Sequence, residues 1–313
     1  MTNSPDARVA SRRRRRPSNG MGSMLSRSRA PRATPMPASE SPKIPAASAR
    51  LGAERWHGGN HEAIEQAIAT ETPLAVTYNG ESYVVMMGSP ADLEDFALGF
   101  SLAEAIVKRA SEVGPIRVTD HGRGLQIDVT IPERRARMLG VRSRNLAGRA
   151  GCGLCGIAEL DQALRPLPQL APGPVVSSRV IAAAVESLPA LQPLNSEVRA
   201  VHAAAWFTVE GKPVLAREDV GRHNALDKLI GARARMAPDG DYAPGFAVIT
   251  SRMSVEMVQK AATAGIGLLV AVSFPTTLAI ETAEACGLTL VAGARDEGFQ
   301  AYTHPERIAE TRP

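Results

Sequence analysis

Cysteine is scarce in this sequence, with three among 313 residues, and that scarcity argues against a scaffold built on disulfides. An odd count in a chain without a secretion signal points to a reducing compartment, so a cytoplasmic location is expected. Long apolar runs are missing too: none reaches the ~18 residues that a membrane-spanning helix needs. Arg12 to Arg16, preceded by Ser11, look like the start of a twin-arginine export signal. Pro17 to Ala38, however, supply no apolar stretch of the required ~7–15 residues, and export is not expected. A strongly basic body is also lacking. Residues 1–50 hold ten Arg and Lys43 against Asp6 and Glu40, a balance of +9, so the formal net charge of +4 leaves −5 for the other 263 residues. Only the tail could neutralise phosphates, which argues against a nucleic-acid-binding fold.

What is present is ordinary globular composition, 44% hydrophobic and 22% charged, in a length that suits about two domains. Residues 1–50, rich in Ser, Pro, Ala and Arg, read as a disordered basic tail because they cannot bury enough surface to offset their ordering entropy. Residues 51–139 read as a small α+β region. Leu74–Tyr78 and Tyr83–Met87 flank Asn79-Gly80, a turn dipeptide that tolerates positive φ, which predicts a β-hairpin. Ser89 is positioned to cap a helix with Leu93, Phe96, Ala97 and Phe100 on one face, and alternation over Leu125–Ile131 predicts a strand partnered by Ile116–Thr119. Residues 140–175 read as a flexible Gly- and Arg-rich loop followed by a Pro-rich linker. From residue 176 to 313 a helix capped by Ser177 or Ser178 precedes a hairpin around Glu210-Gly211, and short apolar strands then alternate with helices. One helix runs from about Arg222 to Ile230, with Gly231 as its expected stop. The order ββαβαβαβ is that of an α/β domain with a mixed, mostly parallel sheet. Ligands of such sheets bind beyond the carboxyl ends of the strands, where helix N-termini point.

Chemistry concentrates in five places. Gly151-Cys152-Gly153-Leu154-Cys155-Gly156 sets two thiols at CxxC spacing among glycines, and Arg142, Arg144 and Arg149 favour the nucleophilic thiolate. A structural zinc would need four ligands, and the sequence has no second CxxC or His pair at finger spacing. A thioredoxin-like pair should open the helix of a βαβ unit, whereas here the motif lies in a loop between regions. Both readings stay open, with sulfur relay through the thiols favoured and Cys286 read as an inert core thiol. The other four places are strand ends. Arg217 to Lys228 crowds Asp219, Arg222, His223 and Asn224 at a strand-to-helix turn, a place that attracts anions; surface ion pairs of Lys228 with Glu218 or Asp227 are the plainer alternative. Ser251, Arg252 and Ser254 follow the next strand, Ser273 to Thr277 the third, and Gly293 to Gly298 the fourth. Four polar ends on one edge suggest a site for a phosphate-bearing nucleotide.

The Cys-Gly-Leu-Cys-Gly run, the segments Glu218–Lys228 and Ser251–Lys260, Gly99-Phe100 and Tyr302-Thr303-His304-Pro305 together resemble the formate dehydrogenase accessory sulfurtransferases, the FdhD family, over about residues 70–310. The resemblance implies a cytoplasmic carrier that accepts sulfur as a persulfide from a cysteine desulfurase. It would pass that sulfur to the bis-molybdopterin guanine dinucleotide molybdenum cofactor, bound as substrate, for formate dehydrogenase. No tightly held metal is expected. By the same carry-over Cys152 is the persulfide residue with Cys155 assisting, while Gly293, Ala294, Arg295, Asp296, Glu297 and Gly298 contact the cofactor. The resemblance also implies a cytidine-deaminase-like fold for the second domain, without the HxE and PCxxC zinc signature of deaminase chemistry, and a homodimer. Where the family has Thr-Gly-Gly before a His, this chain reads Val198-Arg199-Ala200-Val201-His202; loss of both glycines bears on the ligand contacts around His202.

Overall fold

The structure, a computed structural model, describes residues 42–143, 165–238, 240, 244–295 and 298–310. All of these belong to one unit, Pro42–Pro313. It begins with a two-stranded hairpin, β1 (Ser48–His57) and β2 (Asn60–Ala69), closed by Gly58 and Gly59 at positive φ. No alternation in the sequence announces this hairpin.

Strands β3 (Thr72–Tyr78) and β4 (Glu81–Gly88) pair antiparallel across Asn79-Gly80, both at positive φ, as the turn dipeptide predicts. Helix α1 (Leu93–Ala103) follows, then β5 (Ile116–Asp120) and β6 (Leu125–Val129), giving a four-stranded sheet in the order β4-β3-β6-β5. The start of α1 differs from expectation. Its N-cap is Asp92, with no side-chain cap bond. Ser89 is occupied elsewhere: its Oγ accepts from the Val220 N–H and its own N–H donates to Asp219. Helix α2 (Glu133–Ser143) runs past Gly140, where the glycine content suggests a loop already begun.

The rest of the chain builds a six-stranded sheet. After β7 (Val176–Ser177) come α3 (Ser178–Ser187), a 3₁₀ turn and α4 (Pro193–Val198). They lead into β8 (His202–Thr208), β9 (Pro213–Asp219), α5 (Arg222–Met236), β10 (Gly245–Ile249), α6 (Val255–Thr263), β11 (Leu268–Ala271), α7 (Thr277–Cys286), β12 (Thr289–Arg295) and β13 (Gly298–Ala301). A final short strand, β14 (Ile308–Ala309), pairs with β7. The sheet order is β13-β12-β11-β10-β8-β9. Strands β9 to β12 all run one way, while β8 and β13 run against them. The sheet is therefore mixed with four strands parallel in direction, and the four polar strand ends do share one edge.

Apolar side chains cover both faces of this sheet. Trp206, Ile249, Leu269 and Leu290 join the cluster that contains α1, α5, α6 and the N-terminal sheet. Phe207, Phe246, Val248, Val270 and Val291 pack on the other face against Ile181 and Ala184 of α3. Helices α1 and α5 meet at two glycines. A Cβ on Gly99 would lie 1.7 Å from the Asp227 carbonyl oxygen, and one on Gly231 would lie 1.9 Å from that of Asp95. Gly231 is thus a point of close helix approach, and α5 continues to Met236 instead of stopping there.

Arg199 ends α4 in the left-handed region, at φ 54° and ψ 30°. A non-glycine residue there costs roughly 1–2 kcal/mol, of which the greater freedom of Gly in the unfolded chain returns a part. Arg199→Gly is expected to raise stability by about 0.5–1 kcal/mol, measured as a higher urea midpoint at unchanged slope.

Candidate functional site

A cavity of about 520 Å³ opens at the strand-end edge, between α3, the 3₁₀ turn and α4 on one side and β8, β10, β12 and β13 on the other. His202, Ala294, Arg295 and Gly298 line it, together with Glu186, Gln192, Asn195 and Thr250. Its walls include Val185, Leu188, Val201, Val272 and Phe299, so a few polar groups converge on an apolar slot, as in most small-molecule sites. Burial, with Arg222 nearby, pushes the half-buried His202 imidazole below its usual range, while Asp219 acts the other way. Arg295 is exposed and its Nε donates to the Val272 carbonyl at 3.1 Å, which lays it across the end of β11. Gly293, at φ +64°, lets the chain turn where a Cβ would meet Gln300 Oε1 at 2.4 Å and the Phe274 ring at 2.8 Å.

The other strand-end residues do different things. Ser251 is buried with its Oγ donating to the Arg252 carbonyl at 3.2 Å, Arg252 is exposed, and Ser254 is the buried N-cap residue of α6. Thr276 caps α7 by accepting from the Ala279 N–H. Glu218 accepts from the N–H groups of Leu194 and Asn195, which holds the start of α4 against the end of β9. Cys152, Cys155, Asp296 and Glu297 lie outside the described residues.

Asp219 and Asn224 are committed to a buried network. Asp219 Oδ2 lies 2.7 Å from Lys228 Nζ with both side chains at 0% exposure, and it accepts from the Ser89 N–H. Its Oδ1 accepts from the Gly221 N–H and from Asn224 Nδ2, which also reaches the Met87 carbonyl. Lys228 donates further to the carbonyls of Ser89 and Glu218. This corrects the pairing suggested by sequence: the partner of Lys228 is Asp219, and the network joins the end of β4 to the end of β9.

Asp227 belongs to a second buried set that spacing along the chain does not reveal. Lys260 Nζ lies 2.9 Å from both oxygens of Asp227 and 2.9 Å from Glu104, which in turn holds Arg165 at 3.0 Å. Arg165 also donates to the Ala103 carbonyl. Burial pushes Asp227 upward against the pull of Lys260. It works against the Lys260 ammonium as well, but Asp227 and Glu104 outweigh it and raise that pKa. Burial also opposes ionisation of Glu104, yet Lys260 and Arg165 hold its carboxyl at about 2. The alternating charges span four separate segments, which is why no local motif announces them.

His223, at the second position of α5, is 8% exposed. Burial, with Lys260 and Arg222 close by, pushes its imidazole from 6.5 to about 4, opposed by Glu256 and Glu104. The folded value lies below the unfolded one. The unfolded state therefore takes up a proton first, and the contribution to stability is complete above pH 6.5 and lost as pH falls through 4. The shift corresponds to about 3 kcal/mol. Urea midpoints from pH 7 to 4 are expected to fall more steeply for the wild type than for His223→Gln; parallel curves would contradict this.

Comparison with known proteins places this arrangement among relatives. Residues 69–309 match the model of the FdhD/NarQ family. A protein of Xanthomonas euvesicatoria pv. vesicatoria (strain 85-10) named "Sulfur carrier protein FdhD" is 48% identical over 254 residues, covering 81% of this chain and 90% of the relative. A protein of the same name from Bordetella petrii is 46% identical over 256 residues, covering 81% and 91%. The crystal structure of a proposed formate dehydrogenase accessory protein from Desulfotalea psychrophila superposes with a TM-score of 0.66 at 24% identity, over 84% of this chain and all of that one. It shows a shared fold. Among the described residues no helix is long and apolar enough to cross a membrane.

Proposed function

The chain belongs to the FdhD/NarQ family, and on that footing we propose that it is a sulfur carrier serving formate dehydrogenase, with Cys152 and Cys155 as its working thiols. The observation that carries the reading is the Gly151–Gly156 run with its two cysteines, in a chain 46–48% identical to proteins named sulfur carriers. A Cys152 thiolate attacks the terminal sulfur of a cysteine desulfurase persulfide. One S–S bond forms, the donor's breaks, and the donor leaves as its thiol. The Cys155 thiolate then attacks Cys152 Sγ, closing a Cys152–Cys155 disulfide and releasing the outer sulfur as sulfide, for the molybdenum of the bis-molybdopterin guanine dinucleotide cofactor held as substrate at the strand-end edge in a cytoplasmic protein.

Described residues support the binding half of this reading. The cavity offers His202 and Arg295, with Arg252 exposed and Arg222 half-buried at neighbouring strand ends. These are cations and donors suited to phosphate groups. The chain returns from the cysteine segment at Arg165, which is fixed to α1 through Glu104 and the Ala103 carbonyl.

A second reading is a cofactor-binding chaperone that moves no sulfur, which the cavity of about 520 Å³ with His202 and Arg295 in its lining would equally serve. Radiolabelled cysteine supplied with a desulfurase separates the two. A carrier acquires label that is lost in Cys152→Ala, whereas a chaperone binds guanine nucleotide and stays unlabelled.

A further inference from the structure

One stretch of surface carries charge of the opposite sign to the segment before it. Residues 51–107 hold a single basic residue, Arg55, against nine acidic ones, yet α2 brings Arg134, Arg135 and Arg137 together with only Glu133 among them. Helical spacing sorts these side chains. Leu139 is buried in the core, and the mostly buried Arg135 donates twice to Glu112. Arg134, Arg137 and Met138, at i, i+3 and i+4, share the outer face and are exposed, Met138 to 63%. The ion pairs of that face are long, 3.7 Å from Arg134 to Glu112 and 3.8 Å from Arg137 to Glu133, and hold exposed arginines only weakly. Glu112 also accepts from the Lys108 N–H, which brings the chain at Lys108 and Arg109, both exposed, beside α2. A groove of about 370 Å³ adjoins α2 at the β3–β4 turn, lined by Tyr83, Ala136 and Arg137 together with Glu81 and Glu133.

We propose that this outer face of α2, with Lys108 and Arg109, is where the sulfur donor docks, through an acidic surface around its persulfide cysteine. The proposal rests on the carrier function proposed above and adds the surface by which the donor is recognised. An exposed methionine flanked by cations has the makeup of a protein interface, an apolar contact with a charged rim. Its place along the chain selects the donor over the client. Cys152 follows Ser143, the last residue of α2, by nine positions, a span of roughly 30 Å at full extension, so a protein seated on α2 holds its persulfide within that range. The client, which takes the cofactor, is served from the strand-end edge of the six-stranded sheet instead. A nucleic acid fits the patch less well: the acidic residues of 51–107 repel a phosphate backbone, and Met138 offers it no contact.

The test compares the full-length wild type with Arg134→Glu/Arg137→Glu, using the cysteine desulfurase of the same organism. Binding is read by fluorescence anisotropy and sulfur uptake by intact-protein mass spectrometry, with glutathione persulfide as a small donor that requires no docking. The reversal is expected to raise Kd and KM for the desulfurase at least ~10-fold at low salt, with uptake at saturating desulfurase unchanged. Most of the difference should vanish in ~1 M salt, where the Debye length is about 3 Å. Arg134→Lys/Arg137→Lys should bind as the wild type does, and Met138→Ser should weaken binding about fivefold at either salt concentration. Uptake from glutathione persulfide and urea unfolding should be the same in all four proteins. Equal desulfurase affinity in the reversed variant overturns the proposal and leaves the carrier function standing. An equal loss of uptake from glutathione persulfide overturns it too, since the effect then lies on the thiols. Binding of a DNA duplex that the reversal abolishes while desulfurase binding persists assigns the patch to a polyanion and overturns it as well. A wild type that takes sulfur from neither donor removes the carrier function, while desulfurase binding lost on reversal would still support the docking face.

Discussion

Cys152→Ala is expected to reduce client formate dehydrogenase activity to the background of a strain lacking the protein, while urea and thermal unfolding stay at wild-type values. The thiolate is the attacking group in persulfide exchange, and no other side chain in the chain supplies it at that position. Cys286 is a poor substitute: it is buried, its Sγ lies 3.6 Å from the Ala283 carbonyl, and burial pushes its thiol up, away from the reactive form. Stability should hold because the substitution removes a single sulfur atom and leaves in place the buried clusters on both faces of the six-stranded sheet. Loss of activity together with loss of folding would mean that the cysteine is structural, as in the zinc reading.

The largest effect on stability is expected from Lys228→Met. It would leave the fully buried Asp219 side chain deprived of the cation 2.7 Å away. Breaking a buried pair from one side typically costs about 3–5 kcal/mol, a fifth or more of the ~5–15 kcal/mol that holds a domain together. The network also joins Met87 and Ser89 at the end of β4 to Asp219 and Asn224 at the foot of α5. The loss should therefore loosen the contact between the two sheets. Urea unfolding reads the cost directly. The double variant Lys228→Met with Asp219→Asn should recover much of it, since no unpaired charge then remains; equal instability of single and double variants would show that packing of the lysine stem matters more than its charge. Lys260 offers a partial contrast: its partner Glu104 keeps 29% of its side-chain surface exposed and can regain water, whereas its other partner, Asp227, is as buried as Asp219.

Features with local causes were legible in the sequence. Asn79-Gly80 closes a hairpin because its residues accept positive φ, and Gly287 stops α7 in the left-handed region for the same reason. The strand ends at Asp219, Thr250, Val272 and Arg295 could be placed on one edge because alternating strands and helices force parallel crossovers. What was illegible depends on tertiary partners. Gly231 looks like a helix stop, but its missing Cβ admits α1. Ser89 looks like a cap, but Val220 and Asp219 claim it. Asp219 and Asn224 look like ligand groups, and their polar atoms turn inward to Lys228, Gly221 and Met87. The chain from Arg165 through Glu104 and Lys260 to Asp227 draws on residues up to 156 positions apart, which no spacing rule connects. The exposed β1–β2 hairpin carries too mixed a pattern to read as strands. Its Leu51 and Trp56 face solvent while only Ala67 is buried against the Val198 and Val201 cluster.

Intact-protein mass spectrometry after incubation with a cysteine desulfurase and cysteine tests the central claim most directly. The wild type should gain the mass of one sulfur atom, removable by a thiol reductant and mapped to the peptide containing Cys152, and Cys152→Ala should gain nothing. A wild-type protein that emerges at its original mass, or an adduct that persists in the variant, would contradict it.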